Sequence, residues 1–279
     1  MNKFLTAFLL IIILLGCKEK TIDLGKDISF DKEMDVSYGD DAEQKLDLYI
    51  PKNKDSIKGV FVMIHGGGWK AGDKSNLTFF TLSLMKKKPD FVFANMNYRL
   101  ASTNRFGIPN QTNDIENAIA FLKTTLKSDP TFVLLGNSAG AHLSMLYAYK
   151  FNHENKIKAV VNIVGPTDLS DPNFKNYSDY SFVENHLIDS DAIPNGISVD
   201  KFASPVSWVT AISSPTISFY GNYDQIIPFS QNSILDSTLN KNKVFNKSFE
   251  FSGGHLDWDK ENNAQFLINK IDEFLKHIQ

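Results

Sequence analysis

The pentapeptide Gly136-Asn137-Ser138-Ala139-Gly140 constrains the fold more than any other part of the chain. An apolar run, TFVLL, precedes it at 131–135, and a run rich in Ala, Leu and Met follows at 139–149. A buried strand that turns directly into a helix needs small residues at the turn, because neighbouring backbone comes close there. The segment therefore predicts a strand–turn–helix unit.

Strand-like and helix-like patterns alternate along most of the 279 residues. Short apolar or alternating runs predict strands at 45–50, 59–64, 91–96, 131–135, 158–164, 216–220 and 247–251. Helical spacing of apolar residues predicts helices at 76–86, 110–126, 139–149, 230–240 and 264–278. This order predicts the α/β class, with a mostly parallel, doubly wound sheet and helices on both faces.

Residues 169–209 interrupt the alternation with Asp, Asn, Ser and Pro. A segment of this length inside such a fold is expected to be a cap-like insertion near the functional site. With it, one large domain covers 41–279, a size that can bury a substantial core. The net charge of −3 and the absence of a long basic run give no support to nucleic-acid binding.

The first 16 residues have the pattern of an export signal. Lys3 is followed by an apolar run through Leu15, which is too short to span a membrane comfortably as a helix. The stretch Leu14-Leu15-Gly16-Cys17 resembles the bacterial lipobox. That resemblance implies cleavage before Cys17 and diacylation of its thiol; a simple cleaved signal peptide is the alternative.

Cys17 is the only cysteine, so an internal disulfide is impossible. The polar segment 17–40 is predicted to be a tether between the lipid and the domain. We therefore expect a protein of the cell envelope, lipid-anchored to a bacterial membrane, the outer one in particular, and facing the periplasm or the exterior.

Ser138 stands where a nucleophile is placed when a strand turns sharply into a helix, and the helix N-terminus favours negative charge. A second motif, His65-Gly66-Gly67-Gly68-Trp69, directly follows the predicted strand 59–64. Successive glycines allow backbone N–H groups to turn toward an oxyanion. The two motifs together predict acyl-transfer chemistry at Ser138.

Seven stretches resemble the HGGG-containing esterase/lipase branch of the α/β-hydrolases, close to the BD-FAE and acetyl-xylan-esterase-like group. They are LDLYIP (46–51), HGGGWKAGDK (65–74), NYRLA (97–101), GNSAG (136–140), GPTDL (165–169), GNYDQIIP (221–228) and GGHLDW (253–258). The resemblance covers nearly the whole domain in family order. It implies the α/β-hydrolase fold and a carboxylic ester hydrolase.

The family order of nucleophile, acid and base falls on Ser138, Asp224 and His255. Asp224 and His255 each follow a predicted strand, at the sheet edge where open α/β sheets bind their ligands. The acid would hold the imidazole tautomer and stabilise its cation. The less favoured candidates are His65, His142, His153 and His186 for the base, and Asp168, Asp257 and Asp259 for the acid.

The same resemblance assigns the oxyanion N–H groups to Gly67, Gly68 and Ala139, while Gly66 shapes the turn. Trp69 is expected to line a substrate pocket, with ordinary packing as the alternative. The sequence shows no clustered His, Cys and Asp pattern, so we expect neither a metal nor an organic cofactor.

The predicted substrate is a short-chain or carbohydrate-linked ester, such as an acetyl or feruloyl ester. The chain offers no long apolar lid of the kind expected in a true lipase, and an anchored enzyme would meet external polysaccharides. The expected partners are a small-molecule or polysaccharide ester and the membrane. Two alternatives stay open: hydrolysis of another acyl bond, in a formamide such as N-formylkynurenine or in a peptide, and a catalytically inactive ligand-binding α/β-hydrolase.

Overall fold

A computed structural model describes residues 20–278, except 26, 54–56, 153 and 179. The predicted signal segment 1–16 and the predicted lipidation site Cys17 lie outside these residues. Within the described part of the chain, no helix has the length and apolar character needed to cross a membrane.

The described strands form one mixed sheet. They are β1 (Thr21–Asp23), β2 (Ser29–Ser37), β3 (Lys45–Pro51), β4 (Gly59–Ile64), β5 (Phe91–Met96), β6 (Phe132–Asn137), β7 (Ile157–Ile163), β8 (Thr216–Gly221) and β9 (Asn246–Phe251). Their order is β1-β2-β3-β5-β4-β6-β7-β8-β9. The first three strands pair antiparallel, as do β3 and β5, and all the other pairs are parallel. The mostly parallel sheet is thus confirmed.

Helices cover both faces of the sheet, as predicted. They are α1 (Thr78–Lys87), α2 (Asn110–Leu126), α3 (Ala139–Leu146), α4 (Tyr180–Phe182), α5 (Val199–Ala203), α6 (Ser230–Lys241) and α7 (Glu261–His277). Buried residues of α1 and α7 share one hydrophobic core, and those of α2, α3 and α6 share the other. The predicted helix at 139–149 is α3 followed by a π-helical turn at Tyr147–Phe151.

Strand β4 shows why the central strands read as continuous apolar runs. All of its residues are buried. Val60, Val62 and Ile64 pack into the core of α2, α3 and α6, whereas Phe61 and Met63 pack into the core of α1 and α7. A parallel strand that is covered on both faces has no side exposed to solvent, so polar and apolar residues do not alternate in its sequence.

The predicted polar tether at 17–40 is wrong for the residues that the structure describes. Strands β1 and β2 extend the sheet there, and β2 pairs antiparallel with β3. Phe30 is fully buried in the core of α1 and α7. Most of the other β2 side chains are partly or fully exposed, and these polar residues conceal the strand in the sequence. The domain therefore begins at β1, rather than at residue 41.

The segment 169–209, predicted as a cap-like insertion, connects β7 to β8 through α4, α5 and several short helical turns. It packs against the domain at separate points. A bridge joins Ile188 to Ile108, and the carbonyl of Ala203 lies 2.8 Å from Nε2 of His142. These contacts hold the insertion against the domain near the starts of α2 and α3.

Candidate active site

Ser138 occupies the sharp turn between β6 and α3. Its φ of 53° and ψ of −122° lie in a region that non-glycine residues rarely adopt, at a cost of about 1–3 kcal/mol. The Ser138 N–H donates to the carbonyl of Ile163 at 2.8 Å. A Cβ atom on Gly140 would lie 2.0 Å from the Ile64 carbonyl oxygen, which explains why this turn needs glycine.

The structure brings together the three residues predicted as nucleophile, acid and base. Nε2 of His255 lies 2.9 Å from Oγ of Ser138, and Nδ1 of His255 lies 2.8 Å from Oδ2 of Asp224. The side chains of His255 and Asp224 are only 8% and 2% exposed. An ionised Asp224 can only accept, so Nδ1–H donates to it and the Nε2 lone pair faces the Ser138 hydroxyl.

Backbone groups orient the carboxylate of Asp224. Its Oδ1 accepts hydrogen bonds from the N–H groups of Ile226 and Ile227, at 2.8 and 2.9 Å. The other oxygen is left for His255. A carboxylate held at three points cannot rotate away from the imidazole, so it fixes the tautomer of His255.

The alternative acids do not contact His255. Asp257 accepts from the N–H of Gly254 at 2.8 Å and pairs with Lys260. It therefore shapes the loop that carries the histidine. Asp168 lies immediately before the insertion and accepts from the hydroxyls of Ser170 and Ser204, which lie within it.

Hydrogen bonds to carbonyl groups orient the glycine loop after β4. The carbonyl of Gly66 lies 2.7 Å from Nδ1 of His65, and the carbonyl of Gly67 accepts from the N–H of Ala71 at 3.0 Å. In a trans peptide the N–H points opposite to the carbonyl. The N–H groups of Gly67 and Gly68 consequently point away from His65 and from the Ala71 turn.

The Ala139 N–H is oriented in the same way. The carbonyl of Ser138 accepts from the N–H of His142 at 3.0 Å, within the first turn of α3. No side chain caps this helix start. The Gly66 N–H, by contrast, donates to Oδ1 of Asn137 at 3.0 Å, which agrees with the prediction that Gly66 shapes the turn.

Trp69 belongs to the core, not to a pocket wall as predicted. Its side chain is 3% exposed. The indole N–H donates to Nδ1 of His142 at 3.1 Å, so the proton of this neutral imidazole is on Nε2, which donates to the Ala203 carbonyl. Burial lowers the pKa of His142 to about 4. The Trp69–His142 pair therefore connects the glycine loop to α3 and the insertion.

Tyr98 and Asp73 stabilise the glycine loop and the turn that follows it. The Tyr98 hydroxyl donates to the carbonyl of His65 at 2.9 Å, and the two rings stack at 4.4 Å. Burial lowers the pKa of His65 and favours its neutral form. Asp73 caps the turn that follows the loop. Because hydrogen bonds from Ser75 and Asn97 outweigh burial, the pKa of Asp73 falls to about 2.

Two residues that approach the glycine loop, Asn137 and Tyr177, were not predicted from the sequence. Asn137 had a signal, since it directly precedes Ser138 in the pentapeptide, and its amide oxygen accepts from the Gly66 N–H. Tyr177 had none. It lies in the insertion, and its hydroxyl is 3.8 Å from the position that a Cβ atom on Gly68 would occupy.

Across the described ranges, no group of three or more His, Cys, Asp or Glu side chains could hold a metal ion. The described residues provide an alcohol, an imidazole and a buried carboxylate in one hydrogen-bonded series, formed by Ser138, His255 and Asp224. That set can promote transfer of an acyl group.

The sequence is similar to curated proteins named as esterases. It is 25% identical over 223 residues to the esterase LipQ of Mycobacterium tuberculosis, an alignment that covers 74% of this chain and 52% of LipQ. It is 32% identical over 113 residues to the isoprenylcysteine alpha-carbonyl methylesterase ICME of Arabidopsis thaliana, covering 39% of this chain and 26% of ICME. The chain thus spans between about a quarter and half of these relatives' lengths.

A solved structure, the truncated form of a carbohydrate esterase from gut microbiota, superimposes with a TM-score of 0.70 at 18% identity. The superposition covers 90% of this chain and 99% of that one, so the two share a fold. The sequence profile of the BD-FAE family matches residues 46–239, which include the glycine loop, Ser138 and Asp224. The chain belongs to the BD-FAE family and has the α/β-hydrolase fold.

Proposed function

We propose that this chain is a serine hydrolase that cleaves carboxylic esters through an acyl-enzyme on Ser138. The observation that carries the proposal is the hydrogen-bonded row from Asp224 through His255 to Ser138, with spacings of 2.8 and 2.9 Å. The names of the similar proteins LipQ and ICME agree with it.

Acylation begins as His255 Nε2 takes the proton of the Ser138 hydroxyl while Oγ attacks the ester carbonyl carbon. The carbonyl oxygen becomes an oxyanion and accepts hydrogen bonds from the N–H groups of Gly67, Gly68 and Ala139. Asp224 stabilises the imidazolium. The C–O bond to the alcohol then breaks, and the alcohol leaves with the proton from Nε2.

Deacylation repeats these steps with water. His255 takes a proton from water, which attacks the acyl-enzyme carbonyl, and the carboxylic acid leaves as Nε2 returns the proton to Ser138. The serine and the neutral imidazole are thereby restored. The ester and one water molecule are the only reactants that the two half-reactions consume.

We propose a short-chain or carbohydrate-linked acyl ester as the substrate, with acetyl and feruloyl esters as the leading examples. The support is structural. The residues described between β7 and β8 form short helices and turns, and the Tyr177 hydroxyl lies 3.8 Å from the position of a Cβ on Gly68, so there is little space beside the glycine loop. A small acyl group suits such a site better than a long lipid chain.

Turnover of p-nitrophenyl acetate tests the proposal. We expect Ser138→Ala to abolish turnover and labelling by a fluorophosphonate, with an unchanged circular dichroism spectrum. Ser144→Ala is the matched control, because Ser144 lies in α3, the helix that follows Ser138, and its hydroxyl donates to the Gly140 carbonyl. Turnover that survives in Ser138→Ala contradicts the proposal, and a wild-type chain inert to the probe indicates a binding protein instead.

A substrate panel separates the acyl classes. It contains acetylated xylan, feruloyl esters, p-nitrophenyl esters of rising chain length and N-formylkynurenine. We expect the highest kcat/KM on an acetyl or feruloyl ester. A higher value on N-formylkynurenine than on every ester would assign the formamide reaction instead.

We also propose that the mature protein is anchored in a bacterial cell envelope through a lipid on Cys17, as the lipobox-like stretch before it suggests. Metabolic labelling with radioactive palmitate should mark the wild-type protein and be lost in Cys17→Ala. Equal labelling of both proteins would contradict lipidation at this thiol.

A further inference from the structure

The insertion contacts the glycine loop at two places. The phenol oxygen of Tyr177 lies 3.8 Å from the position of a Cβ on Gly68, and it is the atom that such a Cβ would meet. The ammonium group of Lys70 lies 4.8 Å from the centre of the Phe182 ring. The insertion therefore lies against Gly68, one of the proposed oxyanion donors, and against Lys70, the residue after the glycine loop.

Tyr177 is held in place by its neighbours. Its ring stacks on Phe174 at 5.8 Å with an interplanar angle of 13°, and Phe174 is 1% exposed. The Tyr177 N–H donates to the Phe174 carbonyl at 2.9 Å, and the Phe174 N–H donates to the carbonyl of Asp171. Asp171 in turn accepts from the side chain of Gln231 in α6. A ring supported in this way can act as a fixed wall.

The sheet order shows which part of a substrate would meet that wall. Strand β4, which carries the glycine loop, lies on one side of β6, whereas β8 and β9, which carry Asp224 and His255, lie on the other. The leaving alcohol takes its proton from His255, so it must lie on the β9 side of Ser138. Tyr177 approaches Gly68, which lies on the β4 side of Ser138.

We infer that Tyr177 closes the acyl side of the site and limits the length of the acyl group that Ser138 accepts. This inference rests on the proposed esterase function. It makes Tyr177 a specificity-determining residue that acts by the space its side chain fills beside Gly68.

The test is kcat/KM for p-nitrophenyl acetate, butyrate, hexanoate and octanoate with wild type, Tyr177→Phe and Tyr177→Ala. We expect Tyr177→Ala to raise the hexanoate-to-acetate ratio by about tenfold or more, and Tyr177→Phe to keep it within about threefold of wild type. Tyr223→Ala is the matched control: this tyrosine adjoins Asp224 on the other side and is 67% exposed. Its ratio should match wild type.

The same variants are treated with alkyl fluorophosphonates of short and long chain, and the rates of labelling at Ser138 are compared. A faster long-chain reaction in Tyr177→Ala alone supports the inference even where ester turnover is absent, a result that would count against the esterase proposal only. An unchanged ratio in folded Tyr177→Ala overturns the inference, as does an equal change in Tyr177→Phe. A wild type inert to esters and probes overturns both.

Discussion

Nε2 of His255 lies 2.9 Å from Oγ of Ser138, although the two residues are 117 positions apart in the chain. Strands β6, β8 and β9 run parallel, so their carboxyl ends meet at one edge of the sheet. The residues that follow those strands are Ser138, Asp224 and His255. The contact is thus a consequence of strand order, and the loop glycines adjust only its last few ångströms.

Asp224→Asn should reduce kcat for p-nitrophenyl acetate by about 10³–10⁴-fold, because an amide in this place no longer holds the productive imidazole tautomer. The Asn oxygen can still accept from the Ile226 and Ile227 N–H groups, so the fold should be kept. Steady-state kinetics and thermal unfolding measure the two effects. Asp257→Asn is the control, and a loss there as large as in Asp224→Asn would point to Asp257 as the acid.

Two neighbouring glycines should respond differently to alanine. A Cβ on Gly67, whose φ is +119°, would lie 2.1 Å from the Ala71 carbonyl oxygen, so Gly67→Ala must distort the loop. We expect kcat/KM for acetate esters to fall by about 100-fold or more, as it does when an oxyanion donor is lost. Gly68 has a φ of +59°, and a Cβ there would meet the Tyr177 hydroxyl at 3.8 Å, an ordinary contact distance. If Gly68→Ala lost more activity than Gly67→Ala, the assigned loop geometry would be wrong.

Trp69→Phe should reduce stability, not substrate binding. Removal of the indole N–H leaves Nδ1 of His142 buried without a donor, which costs about 1–3 kcal/mol in the free energy of unfolding. Urea unfolding measures that loss. KM for p-nitrophenyl acetate should stay near the wild-type value. A raised KM with unchanged stability would instead indicate that Trp69 lines the substrate pocket.

His142 should make the folded protein sensitive to acid. Its pKa is about 4 in the folded protein and 6.5 when unperturbed, so below pH 6.5 the unfolded chain binds a proton that the folded chain does not. Stability is therefore complete above pH 6.5 and falls as pH drops toward 4, by an amount on the order of 3 kcal/mol. Buried His65, whose pKa is also lowered, acts in the same direction.

His142→Gln isolates this contribution. A glutamine side chain can both accept and donate a hydrogen bond but does not titrate. The variant should be less stable at pH 7, yet lose less free energy of unfolding than wild type between pH 7 and 4.5. If the free energy of unfolding fell by the same amount in both proteins between pH 7 and 4.5, His142 would not be the titrating group.

The sequence was most informative where local pattern and tertiary role agree. Helix α2 was predicted with its observed limits because its apolar residues recur at helical spacing. The positions of Ser138, Asp224 and His255 followed from the strands that precede them, together with a family resemblance. Buried parallel strands such as β4 have no polar residues to obscure them.

The misses have physical causes. Strand β2 packs through a single fully buried residue, Phe30, so its sequence resembles a polar linker. An aromatic residue such as Trp69 gives the same signal in a pocket and in a core, and only its bond to His142 decides between them. Tyr177 reaches the glycine loop through the packing of an irregular segment, which no periodicity encodes.

The early start of β1 limits where an anchored enzyme could work. On the proposal that Cys17 carries lipid, only residues 18–20 separate it from Thr21, the first residue of the sheet. An extended chain of that length reaches roughly 14 Å. The β1 edge would then stay beside the bilayer and restrict the tilt of the domain, so catalysis would be confined to a thin layer above the membrane.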